Sequence, residues 1–103
     1  MNYSELTDFE LSHAVAKKWL PKKQHKFLYF RTCRHEGDYV EYLCSKYDPI
    51  NNPSDAWPII LENEISLTCS ICGSFWEAER HFIYKDKNPL RAAMIVYLMM
   101  GDE

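Results

Sequence analysis

The sequence predicts an α+β fold in which helices and strands follow one another in the order α-β-β-α-β-β-α. Three observations support this prediction. Helix-capping motifs stand near both ends of the chain, four segments rich in aromatic and β-branched residues lie between them, and 47% of the 103 residues are hydrophobic. A chain of this length can bury one core, so we expect a single domain over residues 1–103. The two strand pairs are expected to form an antiparallel sheet that packs against the C-terminal helix.

The first helix is expected from about residue 8 to residue 19. Thr7 and Glu10 have the spacing of a capping box, in which each side chain accepts a hydrogen bond from the other residue's backbone N–H. An apolar stripe at helical spacing follows, formed by Leu11, Val15 and Trp19. Pro21 is expected to end the helix, because proline lacks the N–H that a helix interior requires.

Four segments are typical of strands. Residues 27–33 and 39–47 form the first predicted hairpin, with Gly37 in the turn between them. Residues 65–70 and 75–82 form the second predicted hairpin, whose connection contains Gly73.

Two further helices are expected. Asn52 followed by Pro53 is a typical helix start, and a short helix over residues 54–63 would place Trp57, Ile60 and Leu61 on one face. Pro58 makes two short turns the alternative. The last helix is expected to begin after Asn88, to end before Gly101 and to be buried, because it is apolar nearly all round.

The charge distribution argues against a general polyanion-binding protein, since the formal net charge is -3. However, the stretch from Lys17 to Arg34 contains seven basic residues and no acidic one. This stretch is interpreted first as a solvated helix end followed by a strand edge that lysines protect. The alternative is a nucleic-acid-binding surface, with stacking contributed by Trp19, Phe27, Tyr29 and Phe30.

No apolar run reaches the length that spans a bilayer, and the first ten residues lack the pattern of a signal peptide. We therefore expect no membrane association and a cytoplasmic location. In a reducing cytoplasm, cysteines are expected to be free thiols or metal ligands.

Cys69, Cys72 and Gly73 have the spacing of half a zinc site. The other half would have to come from Cys33, His35 or Cys44, whose spacings are not common among zinc ligands. Buried or idle cysteines are therefore the first interpretation, and a zinc-stabilised interaction domain using Cys69 and Cys72 is an alternative. No metal or cofactor is expected.

Motifs of nucleophilic, nucleotide-dependent or metalloprotease catalysis are absent from the sequence. The C-x-x-C motif lies between two strands rather than at a helix start, where redox catalysis needs it. We therefore expect a protein that is not an enzyme and has no catalytic residues.

Two stretches, NPSDAWPII at residues 52–60 and NPLRAAM at residues 88–94, resemble the NinX-like family from the accessory regions of lambdoid phages. The opening residues and the segment from Ala14 to Lys17 are similar as well, so the resemblance covers most of the chain. It implies an accessory protein that acts in the cytoplasm of the infected host cell, and it carries no known activity.

The family pattern suggests four binding residues, namely Ser54, Asp55, Trp57 and Arg91. In one interpretation Ser54 or Asp55 caps a turn and Trp57 anchors it in the core. In the other, Trp57 is a stacking wall, Asp55 an acceptor and Arg91 an anion contact, with Trp76 and Tyr42 completing the pocket. The expected partner is a host protein or a small nucleotide-like ligand. Self-association through the aromatic hairpins or through Met99 and Met100 is a further possibility.

Overall fold

The structure is a computed structural model that describes residues 3–23, 30–33, 39–42 and 45–101. A short 3-10 helix at Tyr3–Glu5 precedes the first α-helix. The remaining elements, in chain order, are α1 (Asp8–Lys23), β1 (Phe30–Cys33), β2 (Tyr39–Tyr42), β3 (Ser45–Tyr47), α2 (Pro53–Glu62), β4 (Ser66–Cys69), β5 (Trp76–Glu79), β6 (Ile83–Asp86) and α3 (Pro89–Met100). This arrangement confirms the predicted α+β class and the alternation of helices with groups of strands.

Helix α1 begins where its capping box predicts. The Thr7 N–H donates to Glu10 Oε1 over 2.9 Å, and the Glu10 N–H donates to Thr7 Oγ1 over 3.2 Å. The predicted stripe of Leu11, Val15 and Trp19 is buried. The predicted end at residue 19 is wrong, because the helix continues through Pro21 to Lys23. Pro21 lacks only the N–H that would donate to the Lys17 carbonyl. Because Lys17 is exposed, water can bond to that carbonyl instead.

Each predicted hairpin is a three-stranded antiparallel sheet, and the two sheets are separate. The predicted strand over residues 39–47 is two strands, β2 and β3, because the chain reverses between Tyr42 and Ser45. The predicted strand over residues 75–82 likewise ends at Glu79, and the Arg80 N–H donates to the Phe82 carbonyl in the turn before β6. The predicted residues 27–29 and the turn at Gly37 lie outside the described residues.

Each sheet packs on a different helix. Strand β2 contacts α1, whereas β5 and β6 contact α3, so the C-terminal helix is covered by the second sheet as expected. Residues Ala92 to Leu98 of α3 are all buried. The buried side chains of α1, α2, α3 and the two sheets form one cluster.

Two asparagines fix the starts of α2 and α3. The Asn52 side chain accepts from the Ser54 N–H over 3.0 Å, and Asn88 Oδ1 accepts from the Leu90 N–H over 2.9 Å. The Asn88 side-chain amide also donates to the Ile50 carbonyl over 2.8 Å, which ties the start of α3 to the loop that precedes α2. In the part of the chain that the structure describes, no helix is both long and apolar enough to cross a membrane.

Candidate functional site

The family-like motif of residues 52–60 lies on α2, which has two apolar faces. The inner face, consisting of Ala56, Ile59 and Ile60, is buried in the core. The opposite face has the i, i+3, i+4, i+7 spacing of one helical stripe and is exposed along its length; it consists of Ser54, Trp57, Pro58 and Leu61. We call these four residues the outer face of α2.

Trp57 is therefore not a core anchor, and the prediction that it shares a face with Ile60 is wrong. Its side chain is 53% exposed, and that of Leu61, one turn later, is 58% exposed. Trp57 and Ile60 are three positions apart in sequence, a spacing that can place two residues on one helical face. Here they lie on different stripes, because Ile60 belongs to the buried inner stripe and Trp57 to the exposed outer one. The inner stripe is the one buried in the core, where α2 contacts α3.

The segment that carries the outer face is acidic. Residues 53–65 contain Asp55, Glu62 and Glu64 and no lysine, arginine or histidine. Glu62 and Glu64 are exposed, and Glu64 lies 3.6 Å from the guanidinium of Arg80. This surface therefore combines an apolar helical stripe with carboxylate groups of the same segment.

Asp55 faces the other way and holds the loop before α2. Its Oδ2 accepts a hydrogen bond from the Asp48 N–H over 2.9 Å. The Asp48 carboxylate in turn accepts from Ser12 Oγ over 3.3 Å and from the Asn51 side-chain amide over 3.1 Å. Burial raises the pKa of Asp55 above its usual value, although the hydrogen bond from the Asp48 backbone opposes this change. Asp55 is thus a structural acceptor in this fold.

Arg91 is engaged by the N-terminal segment and by β6. Its guanidinium lies 2.7 Å from Asp8 Oδ1 and 3.3 Å from Asp86 Oδ2. It also donates to the backbone carbonyls of Ser4, over 3.2 Å, and Leu6, over 2.8 Å. These acceptors occupy the guanidinium that the sequence suggested as an anion contact.

The four predicted site residues therefore separate into two groups. Asp55 and Arg91 belong to one hydrogen-bonded network, since Asn51 bridges Asp48 to Asp8 with a contact of 3.4 Å to the latter carboxylate. Ser54 and Trp57 lie on the outer face of α2. Trp76 lies half-buried in β5, and the Tyr42 side chain lies outside the described residues. Asp55 and Arg91 are thus separate from the face that carries Ser54 and Trp57, and the stacking pocket with Tyr42 stays a prediction.

A small cleft borders the network. Its volume is about 150 Å³, and it is lined by Asp8, Phe9, Ser12, Val40, Lys46, Tyr47, Asp48 and Asn51. Pockets for drug-sized ligands usually have at least about 300 Å³. This cleft is therefore too small to enclose a nucleotide.

Of the stacking residues predicted in the basic stretch, Trp19 is the one whose side chain the structure describes. Trp19 is buried, and its ring meets that of Tyr97 edge-on at 6.1 Å between centroids. The Lys18 ammonium lies 3.8 Å from the centroid of the Tyr97 ring and donates to the Tyr97 carbonyl. Lys17 is exposed, whereas Phe27, Tyr29 and Arg34 lie outside the described residues. The nucleic-acid hypothesis stays a prediction for the remaining basic residues.

Cys69 and Cys72 are free, exposed thiols at the turn between β4 and β5, so of the first interpretation, buried or idle cysteines, burial is wrong for these two. Among the described residues, no group of three His, Cys, Asp or Glu side chains could hold a metal ion. The strand register pairs Cys33 with Tyr39, and Cys44 lies outside the described residues. The zinc hypothesis stays a prediction, which metal analysis by inductively coupled plasma mass spectrometry of protein purified without chelator would decide.

Sequence reasoning missed two features. The i, i+3, i+4, i+7 spacing of the outer face is readable from the sequence, but residues 54–63 contain two apolar stripes and nothing local selects the exposed one. The serines beside Cys72 were visible at residues 70 and 74, yet their contact with the thiol depends on the shape of the turn.

Comparison with known protein families gives one result that covers nearly the whole chain. The family model described as "Bacteriophage P22, NinX" matches residues 2–101. The searches of curated proteins and of solved structures gave no match.

Proposed function

Because this chain belongs to the NinX family of bacteriophage proteins, we propose that it is a non-enzymatic accessory protein that binds a host protein in the host cytoplasm through the outer face of α2. The observation that carries this proposal is the exposure of Trp57 and Leu61 one turn apart on a regular helix. Tryptophan is enriched among the residues that dominate protein interfaces.

The exposure of these residues has no structural explanation in the fold. The inner face of α2 already supplies the packing that holds the helix, through Ala56, Ile59 and Ile60. Full burial of a large apolar side chain contributes about 1.5–3 kcal/mol, and covering the exposed half of Trp57 or Leu61 would contribute roughly half of that. Trp57 and Leu61 form an exposed apolar patch on one face of α2, and such a patch is suited to a binding partner.

The chemistry of the surface specifies the partner. An apolar helical stripe at i, i+3, i+4 and i+7 fits a hydrophobic groove. The exposed Glu62 and Glu64 of this segment favour a groove with a basic rim and disfavour nucleic acid, whose phosphates they would repel. A second copy of the chain would bring the same acidic segments together. We therefore propose a host protein with a basic-rimmed apolar groove, in preference to the small nucleotide-like ligand.

Substitution of Trp57 by alanine tests the proposal. The immobilised wild-type protein is used to capture proteins from host lysate, and each captured protein is then purified and its affinity measured by isothermal titration calorimetry. For a partner that binds the outer face, Trp57→Ala should raise the Kd by about 30-fold, equivalent to a hot-spot loss of about 2 kcal/mol. The fluorescence of Trp57 should shift to shorter wavelength on binding, because the indole leaves water.

Ile83→Ala is the matched control. Ile83 is 54% exposed, like Trp57, but lies on β6, so its substitution removes a similarly exposed apolar side chain elsewhere. It should change the Kd less than twofold, and both variants should unfold at the wild-type temperature. If every captured protein binds Trp57→Ala as tightly as wild type, the outer face is not the interface and the proposal fails.

A further inference from the structure

Strand β4 lies at an open edge of the second sheet. In the strand order β4-β5-β6, β4 has β5 on one side and no described strand on the other. Three of its four residues, Ser66, Thr68 and Cys69, are exposed to solvent. The described part of the chain therefore leaves this edge accessible to another strand.

The backbone of β4 presents hydrogen-bonding groups to the open side. The Ser70 N–H donates to the Phe75 carbonyl over 2.9 Å, so these two residues form a hydrogen-bonded pair of the ladder. Such pairs recur at every second residue, so Thr68 also turns its N–H and C=O towards β5. Leu67 and Cys69, the residues between, turn theirs away from β5. One side of β4 is thus a template of two N–H and two C=O groups.

Strand β4 also lacks the charges that normally protect a sheet edge. Edge strands usually carry charged residues or proline, which discourage pairing with another chain. The other described edge strands follow this rule, since β1 contains Arg31, β3 contains Lys46 and β6 contains Lys85. Residues 65–75, which include β4, contain no acidic or basic residue, no histidine and no proline. Two copies of this edge can therefore approach each other without like charges meeting.

We propose that two copies of this chain form a dimer by pairing their β4 strands antiparallel about a two-fold axis at Thr68. In this register Leu67 of each copy lies opposite Cys69 of the partner subunit, and each of the two pairs exchanges two N–H···O=C bonds. The four outward groups of each strand are then all bonded. Thr68 meets its own counterpart, a β-branched pair that is favourable across strands. The edge is complementary to itself, which makes a second copy its partner.

The fold selects this register over the neighbouring ones. An axis at Leu67 would require the backbone of Ile65, whose N–H already donates to a carbonyl of α2 over 3.0 Å. An axis at Cys69 would require Ile71, which lies in the turn beyond β4. With the axis at Thr68, strand residues alone are used. Ile71, whose side chain is fully exposed in the single chain, then comes level with Ile65 of the partner subunit.

Sedimentation equilibrium of the full chain under reducing conditions measures the dimer. Two four-residue strands form a small interface, so we expect a Kd between about 10 μM and about 1 mM. Thr68→Lys brings two ammonium groups together at the axis and should raise the Kd by at least about tenfold. Ser66→Lys is the matched control on the same exposed face of β4, because Ser66 lies opposite Ser70 of the partner subunit. It adds the same charge without bringing like charges together, so it should change the Kd by less than about twofold.

Mixing Thr68→Lys with Thr68→Glu tests the axis itself. Each variant alone should be monomeric, whereas the equimolar mixture should dimerise, because opposite charges then face each other. Trp57→Ala should dimerise like the wild type, since the outer face of α2 takes no part in this contact. Thermal unfolding checks that each variant is folded.

Three results would overturn the proposal. The wild type could be monomeric up to about 1 mM, in which case the edge serves a strand of another protein or none. The mixture of the two Thr68 variants could be no more dimeric than its components. Trp57→Ala could abolish the dimer, which would place the contact on the outer face of α2 instead.

Discussion

Replacement of Arg91 by alanine tests whether this residue holds the N-terminal segment on α3, as its contacts indicate. The side chain is 16% exposed and bonds Asp8, Asp86 and the carbonyls of Ser4 and Leu6. Each carbonyl bond contributes about 1 kcal/mol net, with a higher value for a charged donor. The Asp86 arm is largely buried and adds about 1 kcal/mol, whereas the Asp8 arm is half-exposed and adds less. The free energy of unfolding should therefore fall by about 3 kcal/mol.

Arg80→Ala is the control for the loss of an arginine. Arg80 is 41% exposed, and its nearest carboxylate contact, to Glu64, is 3.6 Å long. An exposed ion pair of this kind contributes about 0.5 kcal/mol. Urea unfolding followed by circular dichroism gives both free energies, and hydrogen exchange should show that Arg91→Ala loses protection first at residues 3–8. If Arg91→Ala costs no more than Arg80→Ala, the network is not structural and the anion-binding interpretation of Arg91 regains support.

Two further predictions concern titratable groups. Asp55→Asn should be at least as stable as the wild type at pH 7, because the amide oxygen can still accept from the Asp48 N–H and no charge is buried. In Asp55→Ala that N–H loses its acceptor, so the free energy of unfolding measured in urea should fall by about 1 kcal/mol. A raised carboxyl pKa means that the folded state binds the proton more tightly than the unfolded state does. The wild type should therefore gain stability relative to Asp55→Asn as the pH falls through the pKa of folded Asp55. The same dependence of the free energy of unfolding on pH in both proteins would contradict this prediction. Burial, aided by the charge of Glu62, raises the pKa of Tyr97 to about 12. Its hydroxyl has no hydrogen-bond partner within the described residues, so Tyr97→Phe should unfold at the wild-type urea concentration or above it at pH 7. Between the ordinary tyrosine pKa of about 10 and pH 12, unfolding releases the Tyr97 proton, so the wild type should lose stability that Tyr97→Phe keeps. If Tyr97→Phe loses as much stability as the wild type over this range, the raised pKa of Tyr97 is refuted.

The starts of all three helices could be predicted because capping is local. Thr7 with Glu10, Asn52 with Pro53, and Asn88 with Pro89 each satisfy backbone groups within three residues, and the structure has the expected bonds. The buried character of α3 was equally readable, since its interior has no polar face. The splitting of residues 39–47 and 75–82 into separate strands was missed, because those segments have strand-forming residues throughout and no glycine or proline marks the reversal.

The sequence by itself thus determined the α+β class, the capped helix starts, the family and the chemical groups available for binding. Tertiary structure decided which of those groups are free. Residues 54–63 contain two apolar stripes of similar hydrophobicity, and only packing against α3 decides that Ile59 and Ile60 are buried while Trp57 faces solvent. Arg91 is a candidate anion contact in the sequence, but it is taken up by acceptors more than eighty residues earlier in the chain. Such contacts between distant segments depend on the assembled core, and no local pattern encodes them.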